Sequence, residues 1–113
     1  MIYQHKELAQ GRWAELSVSE QLANIGSEVS RALRWQEKKN LPYRDRAVYR
    51  ALELIDLSLA QDQTLPRRRE LARMRETLVD YFCEDNCYRS TADSWRKYFD
   101  HFAYYARKRY NEY

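Results

Sequence analysis

Glycine and proline are unusually scarce in this chain, since only two of each occur in 113 residues. A β-sandwich or barrel turns about every 8–12 residues and relies on Gly, Pro, Asn and Asp to do so. The sequence offers too little of this turn chemistry for such a fold. Apolar residues make up 44% of the chain, which is enough to build a core. The composition therefore predicts an all-α protein built from long helices.

Apolar residues recur at steps of three and four in four segments, the pattern of amphipathic helices. The first helix is predicted to begin at Ser17, because Ser17 and Glu20 have the spacing of a capping box. The predicted helices cover about residues 17–39, 43–61, 65–83 and 91–110, after a lead-in at 1–16 that Trp13 anchors. Short links between long helices favour antiparallel neighbours. We therefore expect one domain, 1–113, folded as a four-helix antiparallel up-and-down bundle.

The links between the predicted helices carry their own stop and start residues. Asn40 tolerates the left-handed conformation that ends a helix, and Pro42 fits the first turn of the next one. Thr64 is placed to cap the third helix. Ser90 and Asp93 have the spacing of a second capping box, which predicts the start of the fourth helix.

Two features of the apolar pattern suggest contacts between copies of the chain. Leu54, Leu57, Tyr98 and Tyr105 widen the apolar surface beyond one stripe per helix, which favours self-association. Gly26 lies inside a predicted helix, where it costs about 1 kcal/mol relative to alanine. It allows a close backbone approach, either of another helix in the same chain or of a second copy.

Basic residues cluster at two places along the chain. The formal charge is only +3, but 15 of the 20 basic residues are Arg, which pairs bidentately with carboxylates and phosphates. In an antiparallel bundle the two clusters lie at the same end and form one patch beside several tyrosines, a surface that suits single-stranded nucleic acid. Its alternative is a solvated rim paired with nearby glutamates. The predicted binding residues are Arg67, Arg68, Arg69, Arg73, Arg107, Lys108 and Arg109.

The sequence offers few residues for a metal site. Cys83 and Cys87 have only His5 and His101 as further nitrogen or sulfur ligands, whereas a structural zinc site needs four well-spaced ligands. Glu76 and Asp80 are predicted to point outward from the third helix, and the Glu-x-x-His motif of di-iron bundles does not occur. We therefore predict no metal and no cofactor, and two free thiols.

Arg96 and His101 lie near the start of the last predicted helix of a roughly 110-residue helical chain. This pair resembles the Arg and His of the HEPN family, many of whose members are metal-independent ribonucleases acting at a dimer interface. The resemblance implies that Arg96 would hold the phosphate and that His101 would transfer a proton, a role that imidazole suits near neutral pH. Lys97 departs from the small polar residue that commonly follows the arginine in that family.

Three segments resemble a small prokaryotic family of helical proteins with no assigned activity. They are residues 26–35, 50–59 and 102–107, and they carry packing patterns without catalytic roles.

The start of the chain has no secretory apolar segment, and no apolar run approaches the roughly 18 residues of a membrane span. We therefore expect a cytoplasmic protein without a membrane partner. The predicted function is non-enzymatic: a binding or assembly module, forming a homo-oligomer or binding another protein. The alternative is an RNA-directed protein, either a HEPN-like ribonuclease using Arg96 and His101 or an RNA binder using the basic end.

Overall fold

The computed structural model describes the backbone of residues 11–111 and the side chains of residues 11–102. The described backbone contains a short turn, α1 (Trp13–Glu15), and four long helices: α2 (Val18–Glu37), α3 (Leu41–Leu59), α4 (Leu65–Cys83) and α5 (Ala92–Asn111). No strand occurs in this part of the chain, so the predicted all-α class is confirmed. None of these helices combines the length and the apolarity needed to cross a membrane.

The caps explain where the helices begin. Ser17 and Glu20 form the predicted capping box at the start of α2, with reciprocal bonds of 3.1 and 3.2 Å. Asn40 caps α3 through the Tyr43 amide, so that this helix begins at Leu41, two residues earlier than predicted. The left-handed conformation predicted for Asn40 belongs instead to Lys39, whose φ is 59°. Asn40 therefore starts a helix, which its side-chain carbonyl favours.

The predicted cap of the last helix was wrong by one residue. Thr91 and Ser94 exchange two hydrogen bonds of 2.9 and 3.0 Å between side-chain hydroxyls and backbone amides, and α5 begins at Ala92. Ser90 is instead fixed by Asn86, whose side chain accepts the Ser90 amide and donates to the Ser90 carbonyl. Two serines and a threonine close together in sequence left several capping registers available, and the loop geometry selected one.

The helices share one apolar core, in which α2 is the central element. It packs against α3 and α5, while α4 packs against α3. Each long helix contributes to a buried set that includes Leu22, Ile25, Val29, Leu33, Val48, Ile55, Leu71, Met74, Leu78, Phe82, Trp95 and Phe99. The predicted helix stripes supply most of these residues. Val18 is an exception, since it lies at the first turn of α2 and is exposed.

The lead-in is anchored by buried hydrogen bonds as well as by packing. The Trp13 indole is buried and donates a 2.8 Å hydrogen bond to the Ser58 hydroxyl in α3. Gln21 donates to the Trp13 carbonyl at 2.9 Å, which ties α1 to α2 as well. The predicted anchoring role of Trp13 is therefore confirmed. Residues 1–10 of the predicted lead-in lie outside the described residues.

The apolar surplus predicted from the sequence is largely used within the chain. Leu54 is only 2% exposed, and Leu57 and Tyr98 pack against the core. The side chain of Tyr105 lies outside the described residues. α3 buries a wider arc than a single stripe because α2 and α4 both pack against it. Leu54 and Leu57 therefore do not form a free surface for self-association.

Candidate functional site

A groove of about 400 Å³ lies between α4 and α5. Its lining is mostly apolar, with Met74 and Trp95 buried beneath polar side chains at the edges. The lining residues are Glu70, Arg73, Met74 and Thr77 from α4, Ser94, Trp95 and Tyr98 from α5, and Ser90 from the loop between them.

The groove exists because α4 and α5 are each held by a different neighbour. α5 lies tight against α2 at Gly26, where an added Cβ would come within 2.7 Å of the Phe99 Cβ. α4 lies against α3, and Arg75 adds a bidentate ion pair with Asp56 of α3, at 2.8 and 3.3 Å. The backbones of α4 and α5 consequently stay apart. Gly26 therefore allows two helices of the same chain to pack closely, and this is the one of its two predicted roles that the structure shows.

Tyr98 bridges the two sides of the groove. Its phenol, partly buried on α5, donates a 3.3 Å hydrogen bond to the Glu70 carboxylate on α4. Burial, and then the charge of Glu70 and this hydrogen bond, raise the pKa of Tyr98 to about 12. Tyr98 therefore stays protonated at neutral pH and remains a donor, while Glu70 is partly occupied by an internal partner.

The loop at one end of the groove is organised by Asp80. Its side chain is buried, and its two carboxylate oxygens accept the backbone amides of Cys87 at 2.7 Å and Tyr88 at 3.0 Å. The prediction that Asp80 points outward was wrong, because the loop folds back over the end of α4 and covers it. Glu76 is exposed as predicted and accepts the Tyr88 hydroxyl at 2.8 Å.

Trp95 separates the groove from a smaller cavity of about 210 Å³ between α2 and α5. Its side chain is 6% exposed and stacks on Phe99, with 6.0 Å between ring centroids. The indole Nε1–H is buried but makes no hydrogen bond with any residue whose side chain or backbone the structure describes. A buried donor without an acceptor costs about 1–3 kcal/mol. Such a group is unusual in a folded protein.

The arginines at the start of α4 divide into paired and unpaired ones. Arg75 is held by Asp56, and Arg68 donates to the Leu59 carbonyl at 3.4 Å. The remaining ones form no ion pair with any residue between 11 and 102. They are Arg67, Arg69 and Arg73.

Arg73 lines the groove, whereas Arg67 is not one of its lining residues and lies about one turn of α4 before Glu70, which is. The second basic cluster, Arg107, Lys108 and Arg109, belongs to α5, but its side chains lie outside the described residues.

Arg96 and His101 have different surroundings. The Arg96 guanidinium forms an ion pair with Glu37 at the end of α2 and lies 3.8 Å from Asp93, and its pKa is raised, mainly by the hydrogen bond to Glu37. His101 is exposed, and its ring meets Phe102 edge-on, with 5.4 Å between centroids. The ion pair directs Arg96 toward α2, an interaction that the sequence did not predict.

The two cysteines are free and exposed. Burial, and then the charge of Asp45, raise the pKa of the Cys83 thiol. Among the described residues, no three His, Cys, Asp or Glu side chains are grouped closely enough to hold a metal ion. His5 lies outside those residues.

Sequence reasoning placed Met74 and Trp95 in helix stripes and Tyr98 beside one, but it did not join them into a groove. A stripe shows which side of a helix is apolar, but it carries no distance between helices.

No protein-family model, curated protein or solved structure matches the chain.

Proposed function

We propose that this chain is a non-enzymatic binding and assembly module, a four-helix antiparallel bundle that binds its partner in the α4–α5 groove. The short links between the four long helices support the up-and-down arrangement, as do the packing of α2 against α3 and α5 and of α3 against α4. In this arrangement the side between α4 and α5 is the one left open.

The groove is the observation that carries the proposal. Its volume of about 400 Å³ lies within the range of about 300–1,000 Å³ that is typical of ligand pockets. A mostly apolar floor with a few polar groups at its edge is typical of recognition surfaces. Glu70 and Arg73 supply charge at the edge, while Met74 and Trp95 supply buried apolar area.

Self-association is part of this proposal and has separate support. Large apolar side chains remain exposed outside the groove, among them Tyr49 at 60% and Leu65 at 59%. Light scattering over a range of protein concentrations tests it. We expect the mass to exceed the 13.8 kDa of one chain as the concentration rises. A strictly monomeric protein at high concentration would remove self-association and leave the binding groove to be tested by itself.

RNA binding is the second candidate function. The observation in its favour is that Arg67, Arg69 and Arg73 have no ion-pair partner among residues 11–102. Binding to a generic single-stranded RNA that weakens steeply with salt would support it.

The same incubation with a His101→Ala variant tests the ribonuclease alternative. In that alternative Arg96 must release Glu37 in order to hold a phosphate. Cleavage that is absent, or unaffected by the substitution, would dismiss it.

A further inference from the structure

The α4–α5 groove combines an apolar floor with a nearby arginine charge that forms no ion pair within residues 11–102. Met74 and Trp95 are buried along it, Arg73 lines it, and Arg67 lies about one turn of α4 before the lining residue Glu70. The positive end of the α4 dipole lies on the side of Arg67, which strengthens the attraction for anionic groups. Glu70 is the acidic lining residue, and its carboxylate already accepts the Tyr98 hydroxyl.

We propose that this groove binds an acidic amphipathic helix of another protein, an inference that rests on the proposed binding function. The apolar face of such a helix would cover Met74 and Trp95, and its carboxylates would pair with Arg67 and Arg73. A helix laid into an apolar groove is a common mode of peptide recognition. The lining residues of α4 run from Glu70 to Thr77, about 10 Å along the helix, so about two turns of an incoming helix would lie over the groove.

Charge complementarity distinguishes this occupant from a second copy of the chain. A two-fold dimer built on the groove would bring Arg67 and Arg73 of both copies into one interface, where the acidic lining residue Glu70 already accepts the Tyr98 hydroxyl. Like charges brought together in an interface oppose binding. An acidic helix instead gives each of these cations a carboxylate.

The burial of Trp95 favours an acidic helix over single-stranded RNA as the occupant of the groove. Nucleic-acid surfaces present exposed aromatic faces on which bases stack. Trp95 is 6% exposed and its ring already stacks on Phe99 within the core. The groove therefore offers an apolar floor for side chains rather than a platform for bases.

The Trp95 indole provides a reporter for an occupant of the groove. Its buried Nε1–H has no hydrogen-bond partner among the described residues, on a side chain that forms the groove wall. An occupant that covers this side chain changes the surroundings of its indole. A change of surroundings moves an indole N–H resonance, so that Trp95 serves as the reporter.

The probe is an amidated peptide of about 18 residues with a Leu stripe at helical spacing and Glu and Ala elsewhere. Its matched control keeps the Leu stripe and replaces each Glu by Lys. The full chain, labelled with ¹⁵N, gives three indole signals, from Trp13, Trp35 and Trp95, and Trp35→Phe and Trp95→Phe variants assign all three by the signal that each removes. Trp13 is the internal control, since its indole is already bonded to Ser58.

We expect the Glu peptide to shift the Trp95 signal, to leave that of Trp13 in place, and to bind at least about tenfold more tightly than the Lys peptide at low salt. Arg73→Glu should weaken the binding of the Glu peptide by about five- to tenfold. Arg34→Glu, an exposed charge reversal on α2 away from the groove, should change it little. Both arginines are exposed, so neither variant disturbs the core.

Equal binding of the two peptides, an unmoved Trp95 signal, or an Arg73→Glu variant that binds as the parent does would overturn the inference. The failures are distinguishable. A Trp95 signal that shifts with protein concentration alone would assign the groove to self-association, and one that shifts with oligouridine would assign it to RNA. Self-association through the groove would overturn the acidic helix as its occupant but keep the proposed binding module. A Trp95 signal that responds to none of these additions would overturn both.

Discussion

The close approach of α5 to α2 at Gly26 can be tested by adding one methyl group there, as Gly26→Ala does. A Cβ at this position would lie 2.7 Å from the Phe99 Cβ and 2.8 Å from its Cγ and Cδ1. Carbon atoms in good contact are about 3.5–4.0 Å apart. The nearest atom is fixed to the backbone of α5, so rotating the Phe99 ring does not relieve the clash. Gly26→Ala therefore forces α5 away from α2 by most of an ångström.

Two opposing terms set the expected size of this effect. Replacing a helical glycine by alanine gains about 1 kcal/mol of helix propensity. Overpacking a well-filled core costs about 1–3 kcal/mol, and a fixed Cβ contact belongs to the upper part of that range. We therefore expect Gly26→Ala to lower the free energy of unfolding by about 1–2 kcal/mol. For a chain of 113 residues this corresponds to a fall in Tm of about 4–8 °C.

Thermal and urea unfolding, followed by circular dichroism, measure this change. Ser30→Ala is the control, because Ser30 is exposed on the same helix and isolates the propensity gain, which is about 0.5 kcal/mol in favour of alanine. If α5 did not press on Gly26, Gly26→Ala would stabilise the protein, as Ser30→Ala is expected to do. A Gly26→Ala protein as stable as the parent, or more stable, would refute the close contact. A change seen only at high protein concentration would point to a contact between copies.

Two further predictions concern groups beside the groove. Asp80→Ala leaves two backbone amides of the loop without an acceptor, so we expect the free energy of unfolding in urea to fall by about 2–3 kcal/mol. The control, Glu76→Ala, should change it by less than about 0.5 kcal/mol. Equal effects of the two substitutions would show that Asp80 does not hold the loop. Because the pKa of Tyr98 is raised to about 12 in the folded state, its contribution to stability is complete below its unfolded pKa of about 10 and is lost as the pH rises through 12. Tyr98→Phe should remove that part of the decline in Tm between pH 10 and 12, and an unchanged decline would contradict the bridge.

The sequence alone predicted those features in which a residue interacts with its near neighbours along the chain. The Ser17–Glu20 capping box, the scarcity of turn residues and the helical spacing of Leu22, Ile25 and Val29 depend on separations of a few residues. These separations are the same in the sequence and in the helix. The exact start of α5 was less readable, because Ser90 and Thr91 both suit a cap and the surrounding loop chose between them.

The candidate site could not be predicted in this way, because it depends on distances between helices. The outward prediction for Asp80 followed its position on α4, but the loop that covers it returns from beyond the helix end. The partner of Arg96, Glu37, lies 59 residues away in the chain. Nothing in either local pattern specifies that pairing.

The sequence by itself determined that this protein is helical, where most of its helices begin and end, and which side of each is apolar. These properties arise from the hydrogen bonds and the 3.6-residue period within each helix. Only the tertiary structure decided that α5 lies against α2 at Gly26, that α4 lies against α3, and that Met74 and Trp95 consequently meet in a groove. Arg73 lines this groove and forms no ion pair within residues 11–102. The separation of α4 from α5 is set by how several helices share one core, and no single helix carries that information.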